Sequence, residues 1–224
     1  MSDITLRNYF NRSQHSSDKW EPYFEVYERH LRRFLIRNNV HLVEVGVQKG
    51  GSIEMWSKYL PADAKITGID VDPECANLKY NKSNISIIIG DQGSEGFWNE
   101  TIPGLGKIDI FIDDGGHFMD QQILTFEKVF PLMPLNSVYI CEDTHTSYIP
   151  YNGGGFKVKG SFIEYAKQYI DVIHGNWINE LDTSFEHVKK IGYDLTSVHF
   201  YDSMVVFEKF GKKDMKRVQP TAFT

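Results

Sequence analysis

Residues 42–52, Leu-Val-Glu-Val-Gly-Val-Gln-Lys-Gly-Gly-Ser, decide how the rest of the chain folds. An apolar, β-branched run ends at Gly46 in a glycine-rich turn, and apolar side chains at helical spacing follow from Ile53. In α/β proteins, a strand that ends in such a turn and leads into a helix forms a nucleotide-binding pocket. The glycines let a ligand reach the backbone, and the helix N-terminus offers unpaired N–H groups. This stretch therefore predicts an α/β fold with its site at the end of the first strand.

The runs that follow this turn predict a mostly parallel sheet. The first strand is expected at 41–45, and further strands at 65–69, 85–89, 108–112 and 137–141. These runs alternate with helical patterns, so right-handed crossovers place them parallel to one another. The last two runs, 197–201 and 204–209, are separated by two residues, which permits an antiparallel hairpin and excludes a helical crossover. The sequence thus predicts seven strands, the last pair forming an antiparallel C-terminal hairpin.

Composition narrows the class of protein. Of the 224 residues, 41% are hydrophobic and 24% are charged, which is typical of a globular domain. No apolar run approaches the roughly 20 residues of a membrane helix, and residues 1–12 lack an apolar signal core, so we predict a cytoplasmic protein. The net charge of −6 argues against a nucleic-acid partner. Cys75 and Cys141 lack a metal-binding spacing, which favours reduced thiols.

The pattern divides the chain into three parts. Residues 1–36 form an N-terminal arm and helix that we expect to act as a lid, residues 37–211 form the α/β domain, and residues 212–224 form a C-terminal tail. Residues 1–17 carry few apolar side chains and are called the arm below. The adjoining segment, Ser17-Asp18-Lys19, is interpreted as a helix cap with a solvated charge; a contact with a ligand is the alternative.

The glycine turn differs from a dinucleotide fingerprint, which reads G-x-G-x-x-G. Gln48 stands where the second glycine would let the backbone approach a pyrophosphate, so the turn disfavours NAD. It suits a cofactor without a pyrophosphate, and S-adenosylmethionine is the candidate. Glu44 would meet its ammonium group, directly or through water, and Gly46 would leave room for its amino-acid end.

Further cofactor contacts are predicted where later strands end. Asp70 follows the second strand and would accept the ribose hydroxyls. Asp91, with Gln92, follows the third strand and would hold or flank the adenine. Ser52 and Asp113 complete the predicted set of cofactor-binding residues. The alternative role for these acidic residues is to cap loops.

Acidic residues and histidines follow the fourth and fifth strands. The residues are Asp113, Asp114, His117, Glu142, Asp143 and His145. If the two strands are adjacent and parallel, both sets lie at one sheet edge, where so many carboxylates repel each other unless a hard divalent cation such as Mg²⁺ binds them. The predicted metal ligands are Asp114, Glu142 and Asp143. A metal there would lower the pKa of a bound hydroxyl, and a nearby histidine would remove the proton. His117 is the preferred base and His145 the alternative.

With these motifs placed, the chain resembles the metal-dependent class I methyltransferases that modify sugar hydroxyls, in particular the macrolide-sugar O-methyltransferases of mycinamicin and tylosin biosynthesis. The resemblance rests on residues 43–47, 90–92, 112–117 and 142–148. It implies a Rossmann-like class I methyltransferase fold, S-adenosylmethionine and Mg²⁺ as cofactors, and Asp114, Glu142 and Asp143 as metal ligands with His117 as base. It also implies a sugar-containing small molecule or glycan as acceptor, and a homo-oligomer.

Three other functions fit parts of the pattern. His117, His145 and Asp114 could hold Fe²⁺ in a hydroxylase-like enzyme. A non-catalytic module would bind S-adenosylmethionine or a glycan without chemistry, which the complete set of acidic residues and histidine disfavours. A dehydrogenase would bind NAD, which Gln48 disfavours.

Overall fold

The computed structural model describes residues 5–178, 183–211, 216–217 and 219. Its strands are β1 (His41–Val45), β2 (Lys65–Asp70), β3 (Ile85–Ile89), β4 (Ile110–Asp113), β5 (Val138–Cys141), β6 (Ser197–Tyr201) and β7 (Met204–Glu208). In this described part of the chain they form one sheet of seven strands in the order β3-β2-β1-β4-β5-β7-β6. Strands β1 to β5 are parallel, and β7 is antiparallel to both β5 and β6. The predicted mostly parallel sheet with a C-terminal hairpin is confirmed.

Helices cover both faces of the sheet. The helices are α1 (Leu6–Phe10), α2 (Tyr23–Leu31), α3 (Gly51–Tyr59), α4 (Glu95–Leu105), α5 (Met119–Val129), α6 (Phe162–Ile173) and α7 (Thr183–Ile191). Side chains alternate along β1, so Val43 and Val45 pack with α4 to α7, whereas Leu42 packs with α1 to α3. Because both faces are covered, every residue of β1 is buried, and the strand reads as a nearly continuous apolar run.

Helix boundaries differ from the sequence prediction in particular places. The pattern at Phe97 and Trp98 predicts a helix before Pro103, but α4 continues to Leu105, since a proline this close to the helix end leaves the preceding turns intact. Apolar residues at helical spacing predict one helix from Trp20 to Ile36, but α2 is shorter and is followed by a 3₁₀ turn at Arg32–Phe34. Helices α1 and α7 were not predicted. Ser161 is the N-cap of α6, its Oγ accepting a hydrogen bond from the backbone N–H of Glu164.

Two expectations from composition can be compared with the structure. Over the described residues, no helix combines the length and the apolar character that crossing a bilayer requires. Cys75 and Cys141 are both buried and unpaired, as predicted for reduced thiols. Residues 1–4 lie outside the described residues. So does the predicted tail, 212–224, apart from residues 216, 217 and 219.

The arm is held against the N-terminal end of α3. The backbone N–H groups of Gln14 and His15 donate to a carboxylate oxygen of Glu54 at 2.8 and 3.1 Å. The N–H of Gly51 donates to the carbonyl oxygen of Ser16 at 3.1 Å, and a side chain at Gly51 would collide with this backbone. The arm is therefore anchored beside the first turn, and its function as a lid stays a prediction.

Glu54 links the stability of the arm to pH. Although burial opposes ionisation, hydrogen bonds from Lys58, from the His15 ring and from two backbone N–H groups lower the pKa of Glu54 from 4.5 to about 2. The ionised group thus adds stability that is fully present above about pH 4.5 and is lost as the pH falls towards 2. We expect Glu54→Gln to lower the free energy of unfolding at neutral pH by roughly 2 kcal/mol. Urea unfolding at a series of pH values measures this difference.

Glu164→Gln is the control, because Glu164 forms a more exposed ion pair with Lys167. The difference in stability between the Glu54 variant and the wild type should shrink as the pH falls from 5 to about 2, since the Glu54 carboxyl group of the wild type loses its charge over this range. Equal losses in the two variants, or a difference that does not depend on pH, would contradict the anchoring role of Glu54.

Candidate active site

A cavity of about 730 Å³ opens at the edge of the sheet where the parallel strands end. Its wall includes most of the residues predicted to bind cofactor or metal, together with both candidate bases: Gly46, Asp70, Asp91, Gln92, Asp114, His117, Glu142, Asp143 and His145. The segment before α2 supplies a further part of the wall, from Ser17 to Trp20. The parallel order of β1, β2, β4 and β5 therefore brings the strand-end residues together, as the sequence predicted.

The glycine turn is required by the protein itself. Gly46 has a φ of +94°, and a side chain there would overlap the carbonyl group of Asp114. The loop after β4 is bound at the same place, because the N–H of Asp114 donates to the carbonyl oxygen of Val45 at 3.0 Å. Gly46 therefore lets two strand-end loops approach closely, in addition to the predicted room for a ligand.

Asp70 lies at the cavity wall and organises the turn. One of its carboxylate oxygens accepts hydrogen bonds from the N–H groups of Val47 and Gln48 at 2.7 and 2.9 Å. The other oxygen accepts one from the N–H of Asp72 at 2.9 Å. A carboxylate has about four lone-pair sites, so acceptor capacity remains for a hydroxyl group in the cavity.

Asp91 and Gln92 have different surroundings. Asp91 is exposed, and its carboxylate accepts a hydrogen bond from the N–H of Gly93 at 2.7 Å. The amide of Gln92 is buried and binds within the protein, donating to Asp113 and accepting from the N–H of Gly116, both at 2.9 Å. Gln92 therefore supports the loop after β4, and the adenine contact of Asp91 stays a prediction.

Three residues predicted to contact the cofactor lie behind the cavity wall. Asp113 is fully buried, accepts hydrogen bonds from Gln92 and Tyr139, and has a pKa raised by burial to about 6. Glu44 is also fully buried and accepts a hydrogen bond from Ser52 Oγ at 2.8 Å. Because their polar atoms are used inside the protein, direct contact of Glu44, Ser52 and Asp113 with a cofactor is not supported.

Carboxylates converge in two overlapping groups among the described residues. One group is Glu44, Asp114 and Glu142, and the other is Asp114, His117 and Asp143; within each, the ligand atoms lie within 4.8 Å of one another. The predicted trio of Asp114, Glu142 and Asp143 does not form a single group of this kind, but Asp114 belongs to both. Carboxylate oxygens are the donors that a hard divalent cation prefers, so these residues fit Mg²⁺.

Lys19 lies inside the first of these groups. Its Nζ is 2.5 Å from Asp114 Oδ2, 2.9 Å from Glu142 Oε2 and 3.5 Å from Glu44 Oε1, and its side chain is 1% exposed. Although burial alone lowers the pKa of a lysine, these carboxylates raise that of Lys19 well above its ordinary value. The interpretation as a solvated charge at a helix cap is therefore wrong. Helix α2 begins only at Tyr23, and the segment before it crosses the sheet edge.

His117 has the surroundings of a base. Its backbone is in the left-handed region, with a φ of +57°. Ring atom Nε2 lies 3.4 Å from Asp143 Oδ2, while Nδ1 is buried and has no hydrogen-bond partner among the described residues. An imidazole with one nitrogen beside a carboxylate and the other unpaired can accept a proton.

Comparisons with known proteins place this geometry in context. No family model matches the chain. The 8-demethyl-8-(2-methoxy-alpha-L-rhamnosyl)-tetracenomycin-C 3'-O-methyltransferase of Streptomyces olivaceus is 29% identical over 211 residues, covering 88% of this chain and 52% of that protein. The mycinamicin VI 2''-O-methyltransferase of Micromonospora griseorubida is 29% identical over 200 residues, with coverages of 84% and 48%. The chain spans about half the length of these curated relatives.

Solved structures of a methyltransferase also match the chain. A complex of the MycE methyltransferase with Mg and SAH matches with a TM-score of 0.75 and 26% identity, over 89% of this chain and 52% of that one. The chain has the class I methyltransferase fold. A MycE complex that also contains mycinamycin VI matches with a TM-score of 0.73, 27% identity and the same coverages. The curated homologues of this methyltransferase-like chain act on sugar hydroxyls, so the resemblance seen in the sequence is confirmed.

The hydroxylase alternative finds no support in this methyltransferase fold. His145 lies at the cavity rim, where Nδ1 is 2.6 Å from Ser203 Oγ and 3.9 Å from Asp143 Oδ1. Among the described residues, no group of three potential metal ligands contains both His145 and His117. The relatives and structures named above are all methyltransferases.

Helix α2 supplies site residues that sequence reasoning missed. The hydroxyl of Tyr27 donates to Glu142 Oε1 at 2.5 Å, and that of Tyr23 donates to Asp143 Oδ1 at 2.7 Å. Trp20, just before the helix, donates from Nε1 to the same Asp143 oxygen at 3.1 Å. The helical spacing assigned Tyr27 to the core, which is correct for its ring, but spacing cannot show where a hydroxyl group points. In this methyltransferase fold α2 therefore holds both acidic residues that follow β5.

Proposed function

We propose that the chain is an S-adenosylmethionine-dependent and Mg²⁺-dependent O-methyltransferase that acts on a sugar hydroxyl of a glycan or glycosylated metabolite. The observation that carries this proposal is the convergence of Asp114, His117 and Asp143 in the cavity formed by the glycine turn. The relatives support it, since they are named sugar O-methyltransferases and the MycE complexes contain Mg and SAH. Because the chain spans about half their length, the activity is assigned to it here as a proposal.

The methyl donor is placed over the ends of β1 and β2. In this proposal Gly46 and the turn after it receive the amino-acid end, Asp70 accepts the ribose hydroxyls, and Asp91 lies beside the adenine. Glu44, Ser52 and Asp113 act indirectly, through the residues they hold, because they are buried behind the wall. The cavity of about 730 Å³ is large enough for a cofactor and part of an acceptor.

The metal ligands of this proposal are Asp114, Glu142 and Asp143. The assignment is supported by the excess of negative charge at this site, where several carboxylate groups face the single ammonium group of Lys19. Burial raises the pKa of Asp114 and of Glu142. A bound cation would counteract this effect, because an adjacent positive charge favours the ionised form of a carboxyl group. When bound, the divalent ion would supply Lewis-acid stabilisation of the negative charge that develops on the acceptor oxygen.

The chain's own residues carry the proton and orient the reactants. His117 would take the proton of the acceptor hydroxyl as that oxygen attacks the methyl group. When bound, S-adenosylmethionine would supply this methyl group, the carbon–oxygen bond forming as the carbon–sulfur bond breaks, with release of S-adenosylhomocysteine. Asp143, 3.4 Å from Nε2, orients the imidazole and stabilises its protonated form. Alignment of the reactants in the cavity contributes roughly 7–11 kcal/mol to catalysis when it is well achieved.

Exposed aromatic side chains, one in the cavity wall and others in the loop that follows β5, support a sugar acceptor. Trp20 lines the cavity and is 60% exposed, although its ring nitrogen is bound to Asp143. Tyr148, Tyr151 and Phe156 are exposed in the loop that follows β5. Aromatic rings offer flat apolar surfaces on which the faces of a sugar ring can pack. We therefore propose that the segment 148–160 and the arm shape the acceptor site.

Binding and turnover measurements test the proposal. Calorimetry should show that the chain binds S-adenosylmethionine and S-adenosylhomocysteine, and mass spectrometry should show methyl transfer to a hydroxyl among a panel of glycosylated acceptors. If the chain binds NAD but does not bind S-adenosylmethionine, the cofactor assignment is contradicted. Binding of S-adenosylmethionine without methylation of any acceptor would favour the non-catalytic module. A cytoplasmic location and a homo-oligomer remain predictions that rest on the sequence and the resemblance, and light scattering would measure the mass of the particle.

A further inference from the structure

The ammonium group of Lys19 lies between two of the proposed metal ligands. Its Nζ is 2.5 Å from Asp114 Oδ2 and 2.9 Å from Glu142 Oε2. The side chains of Lys19 and Glu142 are each 1% exposed. One positive charge of the protein thus fills the space between carboxylates that the proposed function assigns to a divalent ion.

Among the described residues, carboxylates outnumber the ammonium group at Lys19. Glu44, Asp114 and Glu142 all face its ammonium group, and Asp143 adds a further carboxylate beside His117. Burying carboxylates without an opposite charge is strongly unfavourable. Lys19 therefore compensates part of this charge in the absence of an ion, and a divalent ion bound to the same carboxylates would repel it.

The surroundings of Lys19 allow its ammonium group to change partners while the backbone stays in place. On the N-terminal side of Lys19, the carbonyl oxygen of Ser16 accepts a hydrogen bond from the N–H of Gly51. On its C-terminal side, the ring of Trp20 donates a hydrogen bond to Asp143. The long, flexible lysine side chain lies between these two anchors. Glu44, which is not a proposed metal ligand, is already 3.5 Å from Nζ. A small movement of the side chain would thus transfer the ammonium group from Asp114 to Glu44.

We propose that Lys19 is a tethered cation that occupies the carboxylate cluster in the metal-free protein and moves towards Glu44 when a divalent ion binds to Asp114 and Glu142. This inference rests on the proposed function, because it takes the same carboxylates as ligands of the ion. Lys19 is then a positioning residue that stabilises the metal-free fold and weakens the binding of the ion. Removing its charge should make the fold depend on the ion and should make the ion bind more tightly.

Thermal unfolding and calorimetric titration with MgCl₂ test this proposal without any measurement of activity. In EDTA, Lys19→Met should lower the Tm by about 5 °C or more, and saturating Mg²⁺ should restore more of the Tm in the variant than it adds in the wild type. The Kd for Mg²⁺ should fall about tenfold or more. Lys19→Gln, which keeps a hydrogen-bond donor, should show the same effects at smaller size. Lys128→Met is the control, since Lys128 forms a more exposed ion pair with Glu95.

The outcomes separate this inference from the proposed function. If the wild type binds Mg²⁺ and the Lys19 variants bind it no more tightly, the inference is overturned while the metal site stands. If neither the wild type nor the variants bind Mg²⁺, the inference fails together with the metal assignment. Variants that stay unfolded in saturating Mg²⁺ also contradict it, because the ion should replace the lost charge. The absence of methyl transfer would affect only the proposed function, since binding and unfolding do not require an acceptor.

Discussion

Replacing His117 by asparagine is expected to lower kcat for methyl transfer by roughly 10²–10⁴-fold, with little change in the Kd for S-adenosylhomocysteine. One ring nitrogen lies beside Asp143 and the other has no hydrogen-bond partner among the described residues, whereas asparagine cannot accept the proton of the acceptor hydroxyl. Asparagine also tolerates the left-handed backbone at this position, so the loop after β4 should keep its conformation. Calorimetry measures cofactor binding, and initial rates at saturating cofactor measure turnover.

His145→Asn is the matched control. His145 lies at the cavity rim, where its ring contacts Ser203 and Trp20, and it is the alternative base from the sequence. If His117 is the base, turnover of the His145 variant should stay within about a factor of ten of the wild type, because one hydrogen bond at an exposed position contributes little. If the His117 variant keeps the wild-type turnover, or if the His145 variant loses more turnover than the His117 variant, then His117 is not the base.

Replacing Asp114 by asparagine is expected to weaken Mg²⁺ binding by about a hundredfold and to abolish measurable turnover. Asp114 is the residue common to both groups of convergent carboxylates, so its charge acts on the ion from the centre of the cluster. In the wild type, EDTA should abolish turnover and added Mg²⁺ should restore it, whereas the Asp114 variant should not respond. Titration calorimetry measures the affinity for Mg²⁺. Initial rates in buffer with EDTA and in buffer with added Mg²⁺ measure how far turnover depends on the ion.

Asp120→Asn provides the control for this substitution. Asp120 is an exposed carboxylate at the start of α5 and belongs to neither group of potential metal ligands. Its loss should leave both the affinity for Mg²⁺ and the rate close to those of the wild type. Full turnover of the wild type in metal-free buffer would contradict the metal assignment, whatever the behaviour of the variants.

The fold could be predicted because it depends on local patterns. Apolar β-branched runs gave the positions of the strands, and the right-handed crossover gave their parallel order. The two-residue link between Tyr201 and Met204 gave the antiparallel hairpin. Helix α7 was missed because its residues, from Thr183 onwards, carry a weaker apolar pattern than those of α6. Boundaries such as that at Pro103 depend on which turn of the helix the proline occupies.

The candidate site could be predicted only in part. Strand ends placed Asp114 and Asp143 together, because parallel strands end at one edge of the sheet. The sequence could not show that Asp113 points into the core and its neighbour into the cavity, since alternation along a strand fixes the period and not the side. Lys19 meets its partners across 95 and 123 residues of the chain, and such contacts depend on packing. The signal that could have revealed it was the excess of strand-end carboxylates without a basic partner.

A crystal structure of the chain with Mn²⁺ and S-adenosylhomocysteine, with an anomalous difference map to locate the ion, would show whether metal and cofactor share this cavity. We expect one Mn²⁺ peak bound to Asp114 and to acidic residues that follow β5, beside His117, with the ligand lying over Gly46 and reaching Asp70. An ion bound away from Asp114, or a ligand bound outside the cavity at the ends of β1 and β2, would contradict it.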